Sequence, residues 1–307
     1  MRGKELQKIF PAFGTVNTIT LYGSFAPEIA EQVKKRVLDL HRRFSLFEQG
    51  SDISKINEQA GMKAAPVHQD TFFVLFHALA YGRETQGAFD ITSGAASRLW
   101  RDAVRSAQIP SESDIAGCRS LSGLTDLILD KSDGTAFLRR NGQQIDLGGI
   151  AKGYAADEAV RILKKYKVHN ALINFGGTVI ALGREQKIGI QNPFQKSGVS
   201  MADLMVKNKA VVTSGFYERG FFFEGVRYHH IIDPRTGWPA DSGLLSVTLI
   251  GDSAMELDAL ATGICVLGEE NGLPLLERRG IEAVFISNDG EVKITHGLQG
   301  KFFLKSN

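Results

Sequence analysis

The chain has 307 residues and a formal net charge of +2, with 43% hydrophobic and 23% charged residues. That length can bury a large core, as one domain or two closely packed lobes. The near-neutral balance, without a basic run, excludes a nucleic-acid partner recognised by bulk charge. No run is apolar enough to span a membrane, and the first eight residues lack the hydrophobic stretch of an export signal. Two cysteines, Cys118 and Cys265, give no disulfide framework.

Apolar spacing predicts an amphipathic helix over 27–44, through Ile29, Val33, Val37, Leu40 and Phe44. A second helix is expected over about 70–86, apolar at Phe72, Phe73, Phe76 and Leu79. Residues 111–122 are weakly patterned, and a boundary between lobes is expected near them. Residues 125–147 read as a meander, with turns at Ser132-Asp133-Gly134 and Asn141-Gly142. A helix from Gly153 to about Lys167 follows, then strands at 171–175 and 187–191. Further hairpins turn at Glu224-Gly225 and Asn288-Asp289-Gly290. Between them lies a helix over 252–267, with Asp252 or Ser253 to cap it and Gly268 to end it. Adjacent hairpins favour antiparallel pairing, so the fold class is α+β: mainly antiparallel sheets flanked by helices.

Three segments carry chemistry. In Gln144 to Asp157 a strand runs into two glycines and then a helix start, with Lys152 beside it. Free backbone N–H groups at such a start bind anions, although neither Walker A nor GxGxxG spacing is matched. In the 252–267 helix, Asp258 and Thr262 stand four apart on one face. Together they can serve a hard cation such as magnesium. The plain alternative is a Thr262 hydroxyl bonded back to its own helix beside a solvated Asp258. In Tyr228 to Pro239 two histidines lead into a rigid Asp-Pro-Arg-Thr-Gly turn. Histidine suits proton transfer near neutral pH; two surface histidines beside an ordinary turn are the alternative.

These segments, taken with several others in order, resemble the ApbE family of flavin transferases. The others are Phe10 to Thr15 as an opening strand, Phe44 to Asn57 with its Ser-x-x-Ser-x-x-Asn pattern, and Gly87-Ala88-Phe89-Asp90-Ile91-Thr92. Asn174 to Gly177, Thr213-Ser214-Gly215 and Leu257 to Gly263 complete the set. Phe13 stands where the family usually has methionine and Phe47 where it has tyrosine. Ala95-Ala96 replaces a usual Pro-Leu.

The resemblance implies a magnesium-dependent enzyme that moves FMN from FAD to a Ser/Thr hydroxyl of an acceptor flavoprotein, releasing AMP. It implies metal ligands at Asp258, Thr262 and the carbonyl of Gly149, and a general base at His230, the second histidine of the motif. Lys152 would face a phosphate or ribose, and Asp146 would accept hydrogen bonds from the nucleotide. Phe13, Phe47, Ala88, Phe89, Asp90 and Ile232 would hold the flavin; for Phe13 and Phe89, core packing is the alternative. Two other functions use the same residues: an FAD pyrophosphatase with water as acceptor, and a non-catalytic FAD-binding protein. The expected compartment is the cytoplasm, or the periplasm or cell exterior with a lipid anchor if a leader has been removed.

Overall fold

The computed structural model describes residues 5–217 and 219–305. Residues 1–4, part of the run read for an export signal, lie outside them. The chain opens with a hairpin, β1 (Glu5–Ala12) and β2 (Thr15–Tyr22), turning at Phe13-Gly14. Both turn residues have positive φ, +53° and +70°, the form whose twist matches paired strands. The opening strand expected over 10–15 is therefore broken at Phe13. A phenylalanine rarely adopts that conformation. Here it is tethered: the Phe13 N–H donates to His41 Nδ1 at 3.2 Å, and the two rings meet edge-on at 5.3 Å.

Helix α1 (Glu28–Phe44) buries the stripe its spacing predicts. Helix α2 (Asp52–Glu58) is capped by Ser51, whose hydroxyl accepts from the Ser54 N–H. A short strand β3 (Ala65–Pro66) leads to α3 (Gln69–Glu84). This helix buries Val74, Leu75, Ala78 and Leu79, while Phe73 and Phe76, expected inside, are exposed. Four of its turns can face the core only once, and the smaller aliphatic stripe fills that contact. Helices α4 (Gly94–Ser106) and α5 (Glu112–Ser120) follow. The weakly patterned stretch is thus largely helix, capped by Ser111 and burying only Ile115.

Strands β4 (Leu127–Asp130) and β5 (Thr135–Leu138) form the first hairpin of the expected meander, with β3 on the outer side of β5. Its third strand is absent. Residues 144–146 are held instead by a single parallel bridge of Gln144 to Ser93, with the Gly94 N–H donating to the Gln144 carbonyl, by the Asn57 side chain, which bonds both polar groups of Ile145, and by the carbonyl of Ile91. Helix α6 (Ala151–Lys165) starts two residues before the expected Gly153. Then come β6 (Ala171–Phe175), β7 (Thr178–Leu182), β8 (Gln186–Gln191), β9 (Ser200–Val206), β10 (Lys209–Gly215), β11 (Gly220–Phe223), β12 (Val226–His229) and β13 (Leu244–Gly251). Helices α7 (Ala254–Leu267) and α8 (Glu269–Arg279) precede β14 (Glu282–Ser287), β15 (Val292–Ile294) and β16 (Phe302–Leu304).

One eight-stranded sheet, in the order β1-β2-β6-β7-β10-β13-β14-β15, organises the molecule, with every pair antiparallel. Helices α1, α6 and α7 cover one face. A smaller β16-β9-β8 sheet meets the other, through Ile188 and Leu204 against Val179, Val211 and Ile286. Strand β7 is accordingly buried along its whole length. Arg36 of α1 fastens the helical layer, bonding Asp70 of α3 at 2.6 and 2.8 Å and Glu158 of α6 at 2.7 and 2.8 Å. Among the described residues no helix is long and apolar enough to cross a membrane.

Helix α7 is the central element, buried on nearly every side. An aspartate in such a helix must be partnered, because an isolated buried charge is very costly. Asp258 is that aspartate, 2% exposed.

Candidate functional site

The site begins where α6 crosses α7. Gly153 permits the crossing: a Cβ there would lie 2.2 Å from the carbonyl oxygen of Ala254. One turn further along α6, Asp157 accepts from the Ser253 hydroxyl at 2.9 Å and from the N–H groups of Ala254 and Met255 at 2.9 and 3.0 Å. Asp157 therefore caps a helix 96 residues downstream. Burial raises its pKa, and those three bonds oppose the rise. Ser253, rather than Asp252, is the residue of α7 that caps it, while Asp252 pairs with Lys209.

This lock brings Asp258 to the N-terminus of α6. Its Oδ2 accepts from the Gly153 N–H at 3.0 Å, and Lys152 Nζ lies 3.2 and 3.4 Å from its two oxygens. The same ammonium donates to the Gly148 carbonyl at 3.1 Å. Helix dipole and ammonium together compensate the buried carboxylate. The Thr262 hydroxyl donates to the Asp258 carbonyl at 3.1 Å, which is the back-bond foreseen as the plain alternative. Its oxygen keeps lone pairs for another partner and lies 3.5 Å from Ser214 Oγ. Gly149 closes the group: a Cβ on it would stand 3.0 Å from Thr262 Oγ1. Gly149, Asp258 and Thr262, far apart in sequence, are thus neighbours.

These donors are all oxygens, the set a hard cation prefers. Among the described residues no group of three or more His, Cys, Asp or Glu is placed to hold a metal ion. One buried carboxylate with hydroxyls and carbonyls fits magnesium, which keeps several waters and takes few protein ligands. Lys152 already supplies the positive charge that Asp258 demands.

The two histidines differ sharply. His229 is buried and stacked on Phe216, with ring centroids 3.9 Å apart and planes 8° from parallel. Its Nε2 lies 3.0 Å from the Ala240 carbonyl, and its Nδ1 accepts from the Ile231 N–H. Both nitrogens serve the fold. His230 is half-buried and, among the described residues, has one such partner, Nδ1 at 3.3 Å from the Arg219 carbonyl. A carbonyl only accepts, so Nδ1 carries the proton and Nε2 presents a lone pair. Burial lowers both imidazoles to about 4, and the nearby charges of Arg219 and Lys152 push His230 the same way. His230 is therefore neutral at pH 7, the form a base requires.

The remaining residues divide. Asp146 accepts from the Gly148 N–H at 2.8 Å and faces Arg101 at 3.5 Å. The Arg101 guanidinium stands 5.0 Å over the ring of Phe47, which is 70% exposed, and its Nη2 is buried without a hydrogen-bond partner among the described residues. Phe13 lies at a turn near the Arg219 side chain, since a Cβ on Gly14 would be 3.8 Å from it. Phe89 and Ala88 are buried: the Phe89 ring packs by Gly149, its Cβ by Gly263, and its N–H donates to Thr85 Oγ1 at 3.0 Å. Packing is what this structure gives Phe89. One oxygen of Asp90 accepts from the N–H and hydroxyl of Thr92, at 2.7 and 2.6 Å, which shapes the entry to α4. Burial raises its pKa.

Ile232 does not stand beside His230. The strand ends at His229, and Ile232 turns into a small core with Trp100, Ala96 and Ile115. Trp100 also donates to the Gly237 carbonyl at 2.8 Å, fixing the Asp-Pro-Arg-Thr-Gly turn. Sequence reasoning missed Arg101, Asp157 and the place of Ser214. Asp157 carried a signal as the last residue of the glycine-loop motif and Ser214 as the middle of Thr213-Ser214-Gly215, whereas Arg101 carried none.

The ApbE family model matches residues 13–285. An FAD:protein FMN transferase of Klebsiella pneumoniae is 35% identical over 267 residues, covering 85% of this chain and 84% of that protein. One of Treponema pallidum is 34% identical, covering 81% and 74%. The crystal structure of the ApbE protein of Thermotoga maritima superposes with a TM-score of 0.89 at 30% identity, covering 99% of this chain and 100% of that one. The flavin transferase ApbE of Vibrio cholerae gives 0.85 at 25% identity, covering 98% and 100%. The glycine loop, the buried Asp258 and both histidines lie inside the matched span, and the chain belongs to the ApbE family.

Proposed function

We infer that this protein transfers FMN from FAD to a Ser/Thr hydroxyl of an acceptor flavoprotein, releasing AMP, with magnesium at Asp258, Thr262 and the Gly149 carbonyl. The observation that carries the reading is a neutral His230 whose Nε2 is free among the described residues and which feels the charge of Lys152, the partner of Asp258, in a chain whose curated relatives are FAD:protein FMN transferases.

The step balances simply. The acceptor oxygen attacks the FMN-side phosphorus, and its proton passes to His230 Nε2. A new O–P bond forms while the bridging P–O bond breaks, and AMP leaves with the bridging oxygen. A divalent cation held by Asp258 and Thr262 would neutralise charge on the pyrophosphate. Lys152, whose ammonium reaches Asp258 and the Gly148 carbonyl at the start of α6, would offer the phosphates a further positive charge. Arg101, with one donor unfilled, sits beside Asp146 to receive a polar part of the nucleotide.

The test is incubation with FAD, magnesium chloride and a Thr-bearing acceptor, with mass spectrometry reading the products. FMN attached to the acceptor supports transfer. Free FMN and AMP alone would make the protein a pyrophosphatase, and unchanged FAD would leave it a binding protein.

A further inference from the structure

We propose that the tip of the β11–β12 hairpin is the docking surface for the acceptor protein, and that it receives an apolar residue about four positions from the acceptor hydroxyl. The inference rests on the transferase reading above and names how that second substrate is held.

The hairpin is a separate two-stranded ribbon, outside the other three sheets. Its base is rigid. Phe221 stacks on Tyr228 at 5.5 Å, and Tyr228 stacks on the fully buried Trp100 at 5.7 Å, 7° from parallel. Its tip is different: Phe222, Phe223 and Val226 are 69%, 42% and 53% exposed. Register places Phe223 opposite Val226 and Phe222 opposite Arg227, whose guanidinium stands 5.4 Å from the Phe222 ring. Three large apolar residues at the end of an open-edged ribbon invite association. They need a partner.

The ribbon also ends in His230. Strand β12 runs Val226–His229, and the Arg219 carbonyl that orients His230 precedes β11. At about 3.3 Å per residue, Val226 lies roughly 13 Å from His230. FAD, bound by the glycine loop and Asp258, requires nothing at that tip. The second substrate does, because its hydroxyl must come to His230 Nε2 while its chain continues alongside. An extended segment spans roughly 13 Å in about four residues, and the unpaired ribbon edges offer it main-chain bonds.

The probe is a pool of synthetic peptides of about thirteen residues, each with one central threonine and flanks randomised without Ser, Thr or Tyr. The pool is incubated with protein, FAD and magnesium chloride, and FMN-bearing peptides are sequenced by mass spectrometry. The wild type is expected to enrich apolar residues about four positions to one side of the threonine. The combined variant Phe222→Ser, Phe223→Ser, Val226→Ser should lose that enrichment and label roughly tenfold more slowly, with unchanged FAD affinity by flavin fluorescence. Phe303→Ser, an equally exposed site on β16, should behave as wild type. Labelled peptides without apolar preference, or enrichment that survives in the variant, would overturn the surface alone. Free FMN without any labelled peptide would overturn the transferase reading and the surface with it. A variant that changes only the sedimentation of the protein would assign the tip to a second copy of the chain and overturn the proposal.

Discussion

Asp258 is 2% exposed and receives an N–H and an ammonium from another helix, whereas His230 follows a four-residue strand and hangs on one bond to a carbonyl. The first region is over-determined. Gly153 sets the helix crossing, Asp157 caps α7, and Lys152 neutralises the carboxylate. The second rests on a stacked ribbon base with an open tip. The difference suits the two substrates. A pyrophosphate of fixed shape is best met by preorganised groups, while a protein chain must enter and leave past a surface that tolerates it.

The comparison breaks hardest at Asp258. Asp258→Ala should abolish transfer and the binding of magnesium, read by isothermal titration calorimetry, while circular dichroism stays native-like. Full activity in the variant, or in wild type with excess chelator, would remove the cation from the account. Gly153→Ala should come next, because its methyl meets backbone rather than a flexible side chain. We expect a loss near the top of the roughly 1–3 kcal/mol range for overpacking, read by thermal melting; an unshifted melt would show that the α6–α7 crossing is loose.

Lys152→Met sharpens the comparison. The ammonium and a cation compete for one carboxylate, so the variant should bind magnesium more tightly in the absence of FAD. If the pair contributes about 1 kcal/mol, the gain is roughly fivefold. Unchanged or weaker affinity would mean that Lys152 assists the cation rather than standing in for it. The smallest effect is on stability against pH. His229 and His230 fold as neutral groups at about 4, against 6.5 ordinarily. The unfolded chain takes up those protons first. Their contribution is therefore complete above pH 6.5 and is lost as pH falls from 6.5 toward 4. Urea midpoints should drop over that window; a flat profile would mean that the histidines are solvated.

Much of this was legible beforehand for identifiable reasons. Helices α1 and α7 declare themselves by apolar spacing, and strand β6 begins and ends where its pattern does. The antiparallel α+β class followed from adjacent hairpins. What stayed hidden depends on distant partners. The turn at Phe13 is tolerated because His41 holds it, and residues 144–146 look like a strand because a side chain, Asn57, satisfies them. Helix α5 buries one residue, too few to set a period. At the site, the spacing of Asp258 and Thr262 was readable, but their approach to Gly149 depends on a helix crossing that no local pattern contains. Arg101 gave no sign, because its neighbours Phe47 and Asp146 lie far from it in sequence.

The central claim is that cation and nucleotide belong to the α6–α7 junction, while the proton belongs to His230. His230→Asn separates them, with FAD affinity and the rate of FMN transfer measured on the same preparation. The account predicts unchanged affinity and a transfer rate lower by about 10²–10⁴-fold. It also predicts a wild-type rate that is level near neutral pH and falls in acid toward about 4. A variant that loses FAD affinity in step with activity, or one that transfers FMN at a near-normal rate, would contradict it.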